Sequence, residues 1–152
     1  MKILVISDTH GYINNAITIL EKEKFDYCIH LGDMIADCED LESIFPRQKF
    51  IFVKGNNDFW NRSPAYPDER FFTIDGVKIF ACHGHKFHVK SDHYALYAKA
   101  KELEADIALF GHTHSKCLKK EGDITFMNPG SKLSYGVIVT QNGNFDASLH
   151  EF

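Results

Sequence analysis

Five short apolar segments of the chain run directly into small clusters of aspartate, asparagine or histidine. Apolar runs of this length are typical of strands that are buried on both faces. Ligands bind at the carboxyl ends of the strands in an α/β sheet, so the five clusters are expected to converge. In chain order the clusters are Asp8-Thr9-His10, Gly32-Asp33, Gly55-Asn56-Asn57-Asp58, His83-Gly84-His85 and Gly111-His112-Thr113-His114.

Helices are predicted between the strands. Apolar residues at i, i+4 and i+7 mark one face of a helix, and a charged stretch near residues 38–45 is also interpreted as helical. Ser91 is predicted to cap the last helix. The apolar stripes are Ile13, Ile17 and Leu20 in the first helix, and Leu96, Ala100 and Leu103 in the last.

Two tight hairpins complete the predicted elements. Asp75-Gly76 and Asn142-Gly143 each separate two strand-like segments, and both dipeptides tolerate the positive φ angles of a tight turn. Strands alternating with helices indicate the α/β class with a mixed sheet, and helices and hairpins from two halves would suit a sandwich of two sheets. At 152 residues the chain is interpreted as one domain, residues 1–152.

The composition excludes several functions. A net charge of −4 gives no reason to expect a nucleic-acid or membrane surface. The apolar run at the N-terminus, "ILVI", is too short for a signal peptide or a membrane span. The four cysteines show no CxxC spacing, and Cys28 and Cys82 stand inside apolar runs. They are interpreted as reduced thiols of a cytoplasmic protein, and their spacing argues against a thiolate zinc site.

The polar clusters predict a metal site. Each cluster alone is a weak signal, because a lone histidine at a strand end is more often a core or turn residue. Converging carboxylates without counter-charge would be costly to bury, and divalent cations remove that cost. Aspartate, asparagine and imidazole without thiolate suit manganese, iron, nickel or zinc. About seven donors are too many for one ion with an open position, and they suit two ions about 3.5–4 Å apart.

In its order D-x-H, G-D, G-N-x-D, H-G-H and G-H-x-H, the chain resembles the calcineurin-like metallophosphoesterase superfamily. Its length and the "NPGS" of residues 128–131 resemble the small YfcE-type phosphodiesterase branch. The resemblance implies an α/β fold, a β-sandwich of two mixed sheets flanked by helices. It also implies two divalent ions at one edge, with Mn²⁺ expected first and Ni²⁺, Zn²⁺, Fe²⁺ or Mg²⁺ as alternatives. The implied ligands are Asp8, His10 and His114 for one ion, Asn56, His83 and His112 for the other, and Asp33 between them.

The chain departs from the superfamily at the residue after the asparagine ligand. That position usually holds a catalytic histidine, and here it holds Asn57, which cannot supply a proton. His85, two residues beyond His83, is the alternative candidate for the general acid. Asp58 is expected to hydrogen-bond the loop backbone or a ligand.

Other polar and aromatic residues receive simpler interpretations. His30 is interpreted as a core residue or as support for the site. Phe59 and Trp60, in a connecting loop, are interpreted as packing residues, with a place in the lining of the substrate cleft as the alternative. His88, His93 and His150 are predicted to lie on the surface.

The predicted function is hydrolysis of a small phosphate ester by a hydroxide that bridges two metal ions. Two divalent ions, two carboxylates and the hydroxide leave a charge of about +1, which matches a phosphodiester better than a monoester. Two alternatives stay open: a non-catalytic metal-binding scaffold on the same fold, and a metal-dependent phosphomonoesterase or protein phosphatase. The sequence also leaves open the physiological substrate, the native metal and the oligomeric state. A homo-oligomer is one of the open alternatives.

Overall fold

The structure, a computed structural model, describes residues 1–58 and 66–152. The predicted loop residues Phe59 and Trp60 lie outside the described residues. In chain order the elements are β1 (Lys2–Ile6), α1 (Ile13–Lys22), β2 (Tyr27–His30), α2 (Ile35–Ile44), β3 (Lys49–Phe52), β4 (Glu69–Ile74), β5 (Val77–Cys82), α3 (Tyr94–Glu102), β6 (Ile107–Leu109), β7 (Cys117–Glu121), β8 (Ile124–Asn128), β9 (Ser134–Gln141) and β10 (Asn144–Glu151), with a 3₁₀ turn at His85–Phe87.

The strands form two mixed sheets of five strands each. The first has the order β10-β9-β1-β2-β3, with β1, β2 and β3 parallel and β9 antiparallel to β1. The second has the order β4-β5-β6-β8-β7, with β5, β6 and β8 parallel. The strands that precede the polar clusters are therefore the parallel ones, β1 to β3 in one sheet and β5 and β6 in the other.

The core lies between the two sheets, and the helices cover their outer faces. In β1, Ile3 and Val5 face the core between the sheets, whereas Leu4 and Ile6 pack against α1. Because both faces of β1 are buried, the strand needs an unbroken apolar run, as its sequence has. On the other side, Leu96 and Ala100 of α3 pack against the outer face of the second sheet. The predicted two-sheet sandwich flanked by helices is confirmed.

Two local predictions differ from the structure, and one strand was missed. Ser91 does not cap α3: the helix begins at Tyr94, whose N–H donates to Asp92 Oδ1 at 3.0 Å. His93 is half-buried rather than on the surface, with its ring 4.9 Å from that of Phe110. Strand β7 was not predicted, because its lysine-rich sequence is mostly exposed at a sheet edge and shows no apolar face.

The two hairpins and the thiols agree with the sequence analysis. Asp75 and Asn142 take φ angles of 49° and 50°, each followed by a glycine with positive φ. All four cysteines are free, and burial raises the pKa of the Cys28 thiol far above its usual value. Within the described ranges, no helix combines the length and apolar character needed to cross a membrane.

Candidate metal centre

The backbone turns sharply at the strand ends where the polar clusters stand. Five of the seven predicted ligand residues have left-handed φ angles, a conformation uncommon outside glycine that costs about 1–3 kcal/mol each. Strain of this kind persists only where surrounding structure fixes it, and it concentrates at functional sites. The five residues and their φ angles are Asp8 (54°), His10 (47°), Asp33 (62°), His112 (67°) and His114 (58°).

A first group of donors joins the turns after β1, β2 and β6. One donor atom from each of Asp8, His10, Asp33 and His114 lies within 4.8 Å of the others. His114 Nε2 is 3.1 Å from Asp8 Oδ1, and His10 Nε2 is 3.3 Å from His114 Nε2. This spacing lets the four side chains share one cation.

A second group lies on the other side of Asp33. His83 Nε2 is 3.0 Å from Asn56 Oδ1 and 3.5 Å from Asp33 Oδ1, and the rings of His83 and His112 are 5.1 Å apart. The other oxygen of Asp33, Oδ2, is 3.9 Å from His10 Nε2 in the first group. The carboxylate of Asp33 therefore faces both groups, one oxygen to each.

The donor set fits divalent cations. Asp8 Oδ1 is buried and has no hydrogen-bond partner among the described residues, while Oδ2 accepts from Ser7 Oγ and from the His112 N–H at 3.1 Å. An oxygen buried without a donor is costly, and a cation would satisfy it. His83 Nδ1 donates to Leu31 O at 2.7 Å, which leaves the Nε2 lone pair on the side of Asn56 and Asp33. Fixing the tautomer in this way is typical of histidine ligands.

The protonation states also suit metal ligands. Burial alone would raise the pKa of Asp33, but His83 and two hydrogen bonds from Asn57 outweigh it and hold the pKa below its usual value. Burial, followed by the neighbouring His83, lowers the pKa of His112 to about 4. At neutral pH the carboxylate is thus charged and this imidazole is neutral, as metal binding requires.

Asn57 holds the shared carboxylate. Its Nδ2 donates to Asp33 Oδ2 at 2.7 Å, and its N–H donates to Asp33 Oδ1 at 3.0 Å. The amide side chain is therefore engaged in positioning Asp33, and it stands where the superfamily usually has its catalytic histidine.

His85 lies beside the second group. Its ring centroid is 5.5 Å from that of His83 and 6.1 Å from that of His112. Burial, with a smaller effect from His83, lowers the pKa of His85 below its ordinary value. Its Nδ1 atom is buried without a hydrogen-bond partner in the described chain.

Asp58 joins two of the metal-site turns, and its predicted hydrogen bonding to the loop backbone is confirmed. The buried carboxylate accepts four backbone N–H groups, three from the turn after β2 and one from the turn after β3. Its contacts therefore hold the backbone of Asp33 and Asn56 in a fixed relation. The four donors are Asp33 (2.9 Å), Met34 (2.8 Å), Ile35 (2.9 Å) and Gly55 (2.7 Å).

Three supporting residues were not found as such from the sequence. Asp37 on α2 accepts the Gly11 N–H at 2.8 Å, and nothing in its helical sequence marks it as part of the site. Asn128 Nδ2 donates to Gly111 O at 2.9 Å. In the sequence, Asn128 was marked only by its place in "NPGS". Ser7 donates to Asp8. His30, fully buried, lies 3.1 Å from Thr9 Oγ1 and supports the first turn, as predicted.

Gly111 provides a direct test of this packing. A Cβ atom at Gly111 would lie 2.1 Å from Ser7 Oγ and 2.7 Å from Asp8 Oδ2, so Gly111→Ala must displace the Asp8 carboxylate. We expect metal affinity to fall by about 10- to 100-fold, as when groups that orient a ligand are lost. The measurement is metal bound per chain during titration of metal-stripped protein. Gly143→Ala, in the β9–β10 turn, is the control; it is expected to keep wild-type metal affinity. Wild-type affinity in Gly111→Ala would contradict this packing.

Comparison with known proteins identifies the family of the chain. The family model for the calcineurin-like phosphoesterase superfamily domain matches residues 1–138. The chain is 34% identical over 134 residues to the probable metallophosphoesterase YsnB of Bacillus subtilis, covering 86% of this chain and 75% of that protein. It is 29% identical over an alignment of 168 positions to the phosphodiesterase MJ0936 of Methanocaldococcus jannaschii, covering 100% of this chain and 96% of that protein.

Solved structures share the fold. A predicted phosphoesterase from Streptococcus pneumoniae superposes with a TM-score of 0.81 at 29% identity, covering 99% of this chain and 88% of that one. Zinc-bound Vps29 from Entamoeba histolytica superposes with a TM-score of 0.79 at 21% identity, covering 99% of both chains. At that identity the second likeness concerns the fold alone.

Proposed function

The chain belongs to the calcineurin-like phosphoesterase superfamily, and we propose that it is a metal-dependent phosphoesterase that hydrolyses phosphodiesters at a site for two divalent ions. The observation that carries the proposal is the position of Asp33. One of its oxygens faces the first donor group and the other faces the second. A carboxylate shared in this way is the usual arrangement of two-metal phosphatases and nucleases.

The proposed roles follow the two groups. Asp8, His10 and His114 would hold one ion, Asn56, His83 and His112 the other, and Asp33 both. Manganese is the first candidate, since the donors are oxygen and imidazole without thiolate, with nickel, zinc, iron and magnesium as alternatives. Bound divalent ions supply Lewis acidity toward the phosphoryl oxygens and a water of lowered pKa.

The chain's own residues keep the site ready for that chemistry. Asn57 fixes the orientation of the Asp33 carboxylate through two hydrogen bonds. Leu31 O fixes the tautomer of His83, and Asp58 fixes the turns that carry Asp33 and Asn56. Because these groups are already oriented, little reorganisation is needed when substrate binds.

Two observations favour a diester over a monoester. MJ0936, which matches the whole of this chain, is named a phosphodiesterase. In addition, two divalent ions, the carboxylates of Asp8 and Asp33 and a hydroxide leave a charge of about +1, which matches the single charge of a diester better than the two charges of a monoester. A small soluble ester is the proposed substrate, and the four free cysteines favour a cytoplasmic location.

The test is hydrolysis by metal-stripped protein to which manganese, nickel, zinc or magnesium is added back. We expect activity only with added metal, and a kcat/KM for bis(p-nitrophenyl) phosphate at least about tenfold above that for p-nitrophenyl phosphate, roughly the rate change of 1.4 kcal/mol. A preference for the monoester would assign the protein to the phosphomonoesterases. Metal binding without hydrolysis of either ester would favour the non-catalytic scaffold instead.

His85 is the proposed general acid, supported by its place beside His83 and His112. Because burial lowers the pKa of His85, its protonated form is favoured on the acidic side of neutrality, and its contribution should be largest there. Replacing His85 by alanine should reduce turnover of diesters with alkyl leaving groups by about 10²- to 10⁴-fold, the usual contribution of a positioned acid. The loss with nitrophenyl esters should be far smaller, because nitrophenolate leaves without a proton. His150→Ala, at an exposed histidine of β10, is the matched control.

Two outcomes would contradict the assignment of His85. Equal losses with both kinds of leaving group would mean that His85 serves binding or structure. If Asn57→His raises activity on alkyl diesters while His85→Ala changes nothing, the chain lacks an acid and depends on easily expelled groups.

A further inference from the structure

A cleft of about 380 Å³ opens beside the second donor group. Two of its lining residues, Asn56 and His85, lie at the second donor group, so the cleft borders the place where the reacting phosphate would bind. Its volume lies within the range of small-molecule sites, about 300–1,000 Å³. The proposed hydrolysis gives no role to its other side chains. The lining residues are Lys54, Gly55, Asn56, Asp68, His85 and Lys86.

The charges of this cleft favour an anion. Lys86 Nζ lies 2.8 Å from Asp68 Oδ2, and this hydrogen bond is the main reason why the pKa of Asp68 lies below its usual value. Lys54 acts on Asp68 in the same direction with a smaller effect. The lining of the cleft thus has two lysines and one aspartate, an excess of one positive charge in a chain of net charge −4.

Both lysines are anchored to segments that carry predicted metal ligands. Lys54 stands two residues before Asn56, and its N–H donates to Pro67 O at 2.9 Å. Lys86 lies in the 3₁₀ turn that follows His83. An anion held by the two lysines would therefore lie close to the reacting phosphate.

We propose that this cleft is a subsite for a second anionic group of the substrate, and that the preferred substrates are phosphodiesters in which one alcohol carries a further phosphomonoester. Lys54 and Lys86 are then the specificity-determining residues. Asp68 pairs with Lys86 while the subsite is empty, and an incoming phosphate takes over that ammonium group and the one of Lys54. The inference rests on the proposed phosphodiester hydrolysis and adds the substrate class.

The kinetic test uses two substrates that differ by one phosphate: the p-nitrophenyl ester of thymidine 5′-phosphate and the same ester phosphorylated at the 3′ oxygen. With manganese, the wild-type protein should favour the phosphorylated ester by about tenfold in kcat/KM, as expected for charge-assisted hydrogen bonds. The double variant Lys54→Gln/Lys86→Gln should bring this ratio close to one. Lys119→Gln/Lys120→Gln removes the same charge from exposed positions of β7, at the far edge of the second sheet, and should keep the wild-type ratio.

A binding measurement separates this inference from the proposed function. Calorimetry compares thymidine 3′,5′-bisphosphate with thymidine 5′-phosphate on the manganese-loaded protein, without turnover. The subsite is supported if the bisphosphate binds about tenfold more tightly and only the Lys54/Lys86 variant loses the difference. Equal affinities in the wild type, or a difference that survives in that variant, would overturn it. Absence of hydrolysis would overturn the proposed function alone, because the binding result still decides the subsite.

Discussion

Replacement of Asp33 by asparagine is expected to weaken the binding of both metal ions and to reduce phosphoesterase activity by three or more powers of ten. Two bound ions contribute several kcal/mol to the transition state, and each factor of ten in rate corresponds to about 1.4 kcal/mol. Asparagine has a single acceptor oxygen, so it can face only one of the two donor groups. Its amide N–H₂ would also oppose one of the N–H donors of Asn57, which now point at the two carboxylate oxygens.

The measurement is metal content by elemental analysis, together with kcat/KM on an aryl diester. The matched control is Asp40→Asn, which removes the same charge from an exposed position of α2. It should bind two ions and keep wild-type activity. If Asp33→Asn retained two ions per chain, the sharing of Asp33 would be wrong. If the wild type bound at most one ion at saturating metal, the two-ion site itself would be wrong.

Replacement of Asp58 by alanine is expected to lower the free energy of unfolding by about 3–5 kcal/mol, the usual cost of removing one partner from a buried charged network. The substitution leaves four backbone N–H groups without an acceptor in a buried position, and each such group costs about 1–3 kcal/mol. The turns that carry Asp33 and Asn56 would lose their common support, so metal affinity should fall as well.

Urea denaturation of the metal-free proteins measures the stability change without a contribution from bound ions. Asp92→Ala is the matched control, because Asp92 is an exposed aspartate that accepts one backbone N–H, from Tyr94. It should cost about 1 kcal/mol or less. If Asp58→Ala lowered the free energy of unfolding by no more than Asp92→Ala does, the turns would hold their shape without the Asp58 carboxylate.

The sequence predicted the strands of the site well because their signals are local. An apolar run such as that of β1 and the polar residues directly after it stand together in the chain, so both the strand and its cluster could be recognised. Strand β7 was missed because an exposed edge strand has no apolar face to recognise. Ser91 was misassigned as a cap because Asp92, one residue later, makes the hydrogen bond to the helix.

The supporting contacts of the site could not be predicted, because they join residues that are far apart in the chain. Asp37 contacts Gly11, and Asn128 contacts Gly111. Periodicity and spacing carry no information on such pairs. Asn57 is instructive in another way: its position was recognised from the resemblance, but its contact with Asp33 depends on the path of the loop.

The strand order of the first sheet has a consequence for biosynthesis. Strand β1, which carries Asp8 at its end, lies between β2 and β9, and its partner residues in β9 are Gly136 to Val139. On a ribosome that adds about 5–20 residues per second, one edge of β1 stays unpaired for on the order of ten seconds until β9 is made. Asp8, the first of the proposed metal ligands to be synthesised, thus stands on a strand that is fully paired only when β9 has been made. We therefore expect a nascent chain arrested before β9 to bind metal poorly, and metal binding to follow the synthesis of β9.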